Sequence, residues 1–130
     1  MTEKLEIYKC NICGNLVQVL INGMGELVCC GEPMQLLIPQ TTEDDASLAE
    51  KHVPIIMQEE NARFVKLEHH PMTKEHFIQF IEVYSKDKSS LYLKFLNPDE
   101  PAELDITHFE EDANAIEHCN IHGLWRNIND

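Results

Sequence analysis

Phe77-Ile78-Gln79-Phe80-Ile81-Glu82-Val83-Tyr84 holds six aromatic or β-branched residues in eight positions. Its length would allow a helix, but that composition favours a buried strand. The segments around it agree. Downstream, Leu91-Tyr92-Leu93-Lys94-Phe95-Leu96 follows a polar turn, and Leu104-Asp105-Ile106-Thr107 alternates apolar with polar. Upstream, residues 53–57 and 63–67 are two further strand candidates flanking the turn-like Glu59-Glu60-Asn61. Short strands at this spacing, punctuated by turns, predict an all-β sandwich.

The first 38 residues are organised differently. Residues 16–21 and 26–28 are strand candidates separated by the turn signals Asn22-Gly23 and Met24-Gly25, which predicts a hairpin. A segment under about 40 residues rarely buries enough core alone and needs a cross-link, a metal or a partner. Pro39-Gln40-Thr41-Thr42-Glu43-Asp44-Asp45 is polar and acidic and reads as a linker. Thr42 is a candidate cap for a short helical turn over residues 47–49. The expected division is therefore a metal-bound domain over 1–38, a linker over 39–49 and a β-sandwich domain over 50–130.

Composition excludes several classes. The 130 residues are 43% hydrophobic, enough for a folded core. Ten basic residues against 23 acidic ones give a formal charge of −13, which argues against broad nucleic-acid binding. No stretch approaches the roughly 20 apolar residues that span a bilayer. The segment Met1-Thr2-Glu3-Lys4-Leu5-Glu6-Ile7 lacks an apolar export region, so a cytoplasmic protein is expected. The five cysteines are an odd count for a disulfide framework.

Four of them pair up. Cys10-Asn11-Ile12-Cys13 is a C-x-x-C turn, and Cys29-Cys30 follows fifteen residues on, each pair preceding a glycine, Gly14 or Gly31. Two thiolates from each of two tight turns can close a tetrahedron around one ion. The competing readings are two disulfides or loose buried thiols, and in a reducing compartment the spacing favours metal. Soft thiolates select iron or zinc, and sequence chemistry alone does not separate them.

A second site assembles from weaker pieces. Glu50-Lys51-His52-Val53-Pro54 opens the second domain, His70-Pro71-Met72 precedes His76, and Cys119-Asn120-Ile121-His122-Gly123 lies near the C-terminus. A lone histidine is usually a surface or satisfied core residue. Together, in a chain that already binds metal, these segments predict a second centre. Four imidazoles and one thiolate exceed the needs of tetrahedral zinc. They suit a five-coordinate iron with one open position, where a thiolate pushes electron density toward whatever binds opposite.

Five pieces carry a resemblance over essentially the whole chain. They are Tyr8-Lys9-Cys10-Asn11-Ile12-Cys13-Gly14-Asn15, Gly25-Glu26-Leu27-Val28-Cys29-Cys30-Gly31, Glu50-Lys51-His52-Val53-Pro54, His70-Pro71-Met72 with His76, and Cys119-Asn120-Ile121-His122-Gly123-Leu124-Trp125. In that order they resemble the desulfoferrodoxins, the two-iron superoxide reductases. The resemblance implies a desulforedoxin-like N-terminal domain with iron on Cys10, Cys13, Cys29 and Cys30. It implies an immunoglobulin-like sandwich whose iron has His52, His70, His76 and His122 as equatorial ligands and Cys119 as axial ligand. Glu50 resembles the carboxylate that ligates the oxidised iron, and Lys51 the lysine that attracts the anion. The implied activity is one-electron reduction of superoxide to hydrogen peroxide at the ferrous site, without dioxygen release. The implied partners are a rubredoxin-like electron donor and a second copy in a homodimer, in an anaerobe.

His69, His108 and His118 match no ligand position and are read as non-ligands. Two other classes compete: a non-catalytic iron electron-transfer protein whose second metal is closed by protein ligands, and a zinc-stabilised binding module. The first is disfavoured because no sixth strong ligand accompanies the histidine site.

Overall fold

The computed structural model describes residues 1–41 and 46–127, so the expected cap at Thr42 lies outside the described residues. The chain divides into two compact units, Met1–Ile38 and Pro39–Asp130.

The first unit contains β1 (Ile7–Lys9), β2 (Leu16–Gln18), β3 (Val28–Cys29), β4 (Glu32–Pro33) and β5 (Gln35–Leu37). β1 is central and pairs antiparallel with β2 and β5. Its buried side is thin, with Ile7 and Cys10 as its most enclosed residues. The expected hairpin between residues 16–21 and 26–28 does not form. β2 stops at Gln18, and Leu20 and Ile21 are 64% and 91% exposed, since so small a unit offers no second layer to cover a longer strand. β3 turns directly onto β4 instead. The turn residues Cys30 and Gly31 have φ of 53° and 77°, the doubly left-handed pattern of a tight two-residue hairpin. This turn presents the second cysteine pair.

The second unit begins with α1 (Ala46–His52), followed by β6 (Ile55–Gln58), β7 (Arg63–Lys66), β8 (Ile78–Ser85), β9 (Leu91–Phe95), β10 (Glu103–Asp105), β11 (Ala113–Cys119) and β12 (Gly123–Arg126). They form one sheet in the order β10-β7-β6 and another in the order β12-β11-β8-β9, giving the predicted all-β sandwich. The decisive run is a strand, β8, and it lies inside the larger sheet. Before α1, Gln40 bridges in parallel to Trp125 of β12.

β11 carries no strong strand signature, because alanine, asparagine and glutamate are depleted in strands. It is held by its neighbours, pairing with β8 on one side and β12 on the other. Val83 opposite Ala115, and Ile81 opposite Glu117, point to the same inner face. There Ile81, Val83 and Ala115 meet Val65 and Leu104 from the other sheet, all with exposure of 1% or less. Near its end the β8–β11 register shifts, so that His118 faces Phe80 but Cys119 faces Ile78. Gln79 is the extra residue of this bulge. Cys119 therefore stays fully buried at the end of the core. Among the described residues no helix is long and apolar enough to cross a membrane.

Candidate functional site

Cys10, Cys13, Cys29 and Cys30 converge, with all four sulfurs within 4.8 Å of one another. Bonds of about 2.3 Å to a central ion would set tetrahedral sulfurs about 3.8 Å apart. Cys13 and Cys29 are 3.6 Å apart. The C-x-x-C turn is closed by the Gly14 amide donating to the Cys10 carbonyl at 3.0 Å, and the Cys13 amide points at Cys10 Sγ at 3.4 Å. Gly14 reaches φ 85°, where a side chain would be strained.

Backbone amides of Cys13 and Ile12 pull the Cys10 thiol down to about 6. The surrounding thiols push Cys30 up to about 12, Cys13 most strongly, and Cys29 is also raised, chiefly by Cys10. Four thiolates in this space repel one another unless a cation lies among them, which is the condition a metal satisfies.

In the second unit His52, His70, His76 and Cys119 place one ligand atom each within 4.8 Å of the others. His52 comes from the end of α1, His70 and His76 from the loop between β7 and β8, and Cys119 from the end of β11. His70 Nε2 is 3.1 Å from His52 Nε2 and 3.3 Å from Cys119 Sγ. His122 lies outside the tightest group, but its Nδ1 is 4.0 Å from Cys119 Sγ. The four rings still describe a square. Adjacent centroids are 4.6 Å (His52–His70), 4.6 Å (His70–His76), 5.1 Å (His76–His122) and 4.9 Å (His122–His52), while the His52–His76 diagonal is 6.3 Å.

Two rings are fixed from behind. His52 Nδ1 pairs with the Leu48 carbonyl at 2.7 Å, and His70 Nδ1 with the Pro71 carbonyl at 2.6 Å. Each contact orients Nε2 toward the centre, the usual second-sphere arrangement of a ligating histidine. His76 Nε2 is buried and has no hydrogen-bond partner. An orphaned imidazole nitrogen facing two other imidazoles and a thiol fits the role of a metal ligand better than that of a packed core residue.

Burial lowers His52, His70 and His76, and takes His70 down to about 4, with the neighbouring imidazoles adding to the effect. All three are thus neutral near pH 7, the state a metal requires. Burial raises the Cys119 thiol, opposed by the His122 and Ile121 amides.

Lys51 and Glu50 are exposed on α1, outside both donor groups. The positive charge of Lys51 nevertheless contributes to lowering both His52 and His76. His69 and His108 are exposed and outside both groups. His118 stacks on Phe80 and pairs with Gln79 Oε1 at 2.7 Å.

Three supporting residues have no site role in the sequence reading. Trp125 stacks on His52 at 5.0 Å and donates its indole N–H to the His122 carbonyl. Gln40, which lies in the expected linker, donates to the same carbonyl at 2.8 Å. Glu117 lies two residues before Cys119 with both carboxyl oxygens buried and unpartnered. Burial pushes it well above the usual carboxylate range. Nothing in the mixed run Ala113-Asn114-Ala115-Ile116-Glu117-His118-Cys119 marks Glu117 as buried.

A cysteine-built centre in a small β unit, together with a histidine and cysteine centre at one end of a β-sandwich, defines a two-centre metalloprotein. The family model for the desulfoferrodoxin N-terminal domain matches residues 2–37, and the desulfoferrodoxin model matches residues 44–128. The chain belongs to the desulfoferrodoxin family. It is 44% identical over 127 residues to the desulfoferrodoxin of Syntrophotalea carbinolica, covering 96% of this chain and 97% of that one. It is 31% identical over 110 residues to the superoxide reductase of Pyrococcus horikoshii, covering 70% of this chain and 96% of that one. The crystal structure of the superoxide reductase from Treponema pallidum shares the fold with a TM-score of 0.70 at 22% identity, covering 96% and 98% of the two chains. The two donor sets match two iron sites.

Proposed function

We propose that the chain is a superoxide reductase. Each superoxide takes up one electron and two protons and leaves as hydrogen peroxide, and no dioxygen is formed. The observation that carries this is the His52, His70, His76 and Cys119 donor set with its orphaned His76 nitrogen, in a chain of this family. Ferrous iron held there supplies the electron.

The protein's own residues do the rest. His52, His70, His76 and His122 would hold the ion through uncharged ring nitrogen lone pairs, leaving its charge to attract an anion. Cys119, buried in the core cluster, would donate electron density to the ion and stabilise its oxidised state. Lys51 adds local positive charge, and Glu50, exposed on the same turn of α1, would offer a carboxylate to an oxidised ion held there. Solvent reaches this rim and delivers the protons. Cys10, Cys13, Cys29 and Cys30 hold the other iron.

A rubredoxin-like donor, a homodimer and the cytoplasm of an anaerobe complete the proposal. Five cysteines assigned to metal rather than to disulfides support a reducing compartment. Ile12, Leu20, Ile21, Met24 and Val28, exposed by 57% or more on the small unit, support association with a second copy.

The test is rapid mixing of the reduced, iron-loaded protein with superoxide. The second centre should oxidise in one bimolecular step, with one peroxide per superoxide and no dioxygen. One dioxygen per two superoxides would identify a dismutase, and an inert centre would identify an electron carrier.

The first centre is structural in this scheme, because every residue proposed to act on superoxide lies from Glu50 onward. Cys13→Ser should abolish the colour of the four-cysteine centre and destabilise its unit, as loss of a structural metal does. The bimolecular rate at a fully loaded second centre should stay within about two-fold, a change below about 0.5 kcal/mol. A large loss of that rate would make the first centre part of catalysis.

A further inference from the structure

We infer that Asn120 is a positioning residue that clamps the peptide groups on both sides of His76 and so sets where that imidazole points. The inference rests on the proposal that His76 ligates the iron.

His76 differs from its neighbours in how it is held. The rings of His52 and His70 are each fixed by a bond from the second nitrogen to a backbone carbonyl. Among the described residues, the hydrogen bonds of His76 are made by its backbone: its amide meets the Thr73 carbonyl at 3.2 Å and Thr73 Oγ1 at 3.1 Å, and its carbonyl accepts from the Thr73 amide at 2.9 Å and from Thr73 Oγ1 at 3.2 Å. Among the described residues its ring touches the His70 and His122 rings but its Nε2 has no hydrogen-bond partner. Its direction is inherited from the loop backbone and from packing.

Asn120 ties that loop to the Cys119–His122 turn through three hydrogen bonds. The Asn120 amide donates to the Phe77 carbonyl at 3.2 Å. The Phe77 amide donates to Asn120 Oδ1 at 3.0 Å. Asn120 Nδ2 donates to the Glu75 carbonyl at 3.0 Å. Just past the bulge at the end of the β8–β11 ladder, the side-chain amide thus imitates a peptide group, and its two bonds straddle His76.

The chemistry required is specific. One acceptor must meet Phe77 and one donor must meet Glu75, from a side chain short enough to span adjacent rungs. Asparagine offers both, aspartate only the acceptor, alanine neither. Asn120 is exposed, so it does not serve the core. It couples two segments that each carry ligands, Cys119 and His122 on one and His76 on the other. Outer-sphere partners of this kind typically change metal affinity about 10- to 100-fold when removed.

The experiment uses the full iron-loaded chain and follows release of second-centre iron to a chelator. Exchange of the Phe77 amide is measured separately in the metal-free protein. Asn120→Ala should release this iron about 10- to 100-fold faster and expose the Phe77 amide to exchange, while the colour of the four-cysteine centre stays unchanged. Asn120→Asp should retain partial Phe77 protection yet still release iron faster, which keeps the test open if the alanine variant folds poorly. In a His76→Ala background, adding Asn120→Ala should alter release by less than about two-fold, because a residue that acts through His76 has nothing left to position. Unchanged release in both Asn120 variants, or an equal effect in both backgrounds, overturns the clamp. Unchanged release in His76→Ala alone overturns the ligand set, and the clamp with it.

Discussion

Cys119→Ser should abolish the thiolate-to-iron charge-transfer band of the second centre and slow superoxide reduction by more than 100-fold, beyond the roughly 10- to 100-fold usual for losing a ligand's partner. Cys119 is the one sulfur among the proposed second-centre ligands, and it is fully buried on the core side of the four imidazoles. Burial raises its pKa, so an ion is needed to keep it ionised, while the His122 amide at 3.4 Å and the Ile121 amide are already arranged to stabilise the anion. A serine hydroxyl keeps the approximate shape but is far less acidic than a thiol, and as an oxygen ligand it is harder and less electron-donating. The imidazoles alone should still retain some iron. Absorption of the ferric form and the second-order rate with superoxide check this together. A variant that keeps both the band and the rate would show Cys119 to be only a buried thiol of the core.

What was legible in the sequence follows from local chemistry. The composition of residues 77–84 specified β8, and the C-x-x-C and Cys-Cys-Gly spacings specified the first donor set, because both depend on neighbours a few positions apart. What was illegible depends on long-range contacts. β11 is a strand through its placement between β8 and β12, not through Ala113, Asn114 or Glu117 themselves. The hairpin expected after Leu16 does not form because β2 finds its partner in β1, seven to eleven residues upstream. Gln40 looked like linker because a glutamine gives no hint that it will donate to a carbonyl 82 residues away. The His122 position is intermediate. Its C-x-x-H spacing named it, while the structure holds it 4.0 Å from the sulfur and outside the tightest donor group.

Lys51→Ile should slow the encounter with superoxide without altering iron content. The chain carries a formal charge of −13, so the long-range field repels the anion, and attraction has to be local. Lys51 is next to His52 at the end of α1, and its charge contributes to lowering both His52 and His76, which places that charge within electrostatic reach of the centre. A unit charge ~6 Å from the anion contributes roughly 0.7 kcal/mol at the dielectric of water and about 3 kcal/mol at an effective value near 20. These bounds correspond to a roughly 3- to 100-fold change in rate. Exposure of the side chain favours the lower part of that range. Screening acts over about 10 Å at 0.1 M salt, so the variant should also lose the attractive part of its salt dependence. Lys51→Arg should keep most of the rate, because charge is the proposed contribution and a guanidinium supplies it. The check is the second-order rate of each variant across ionic strength, at equal iron loading. A Lys51→Ile rate equal to that of the parent would remove Lys51 from the encounter and leave Lys74, exposed on the loop that carries His76, as the cation to test next.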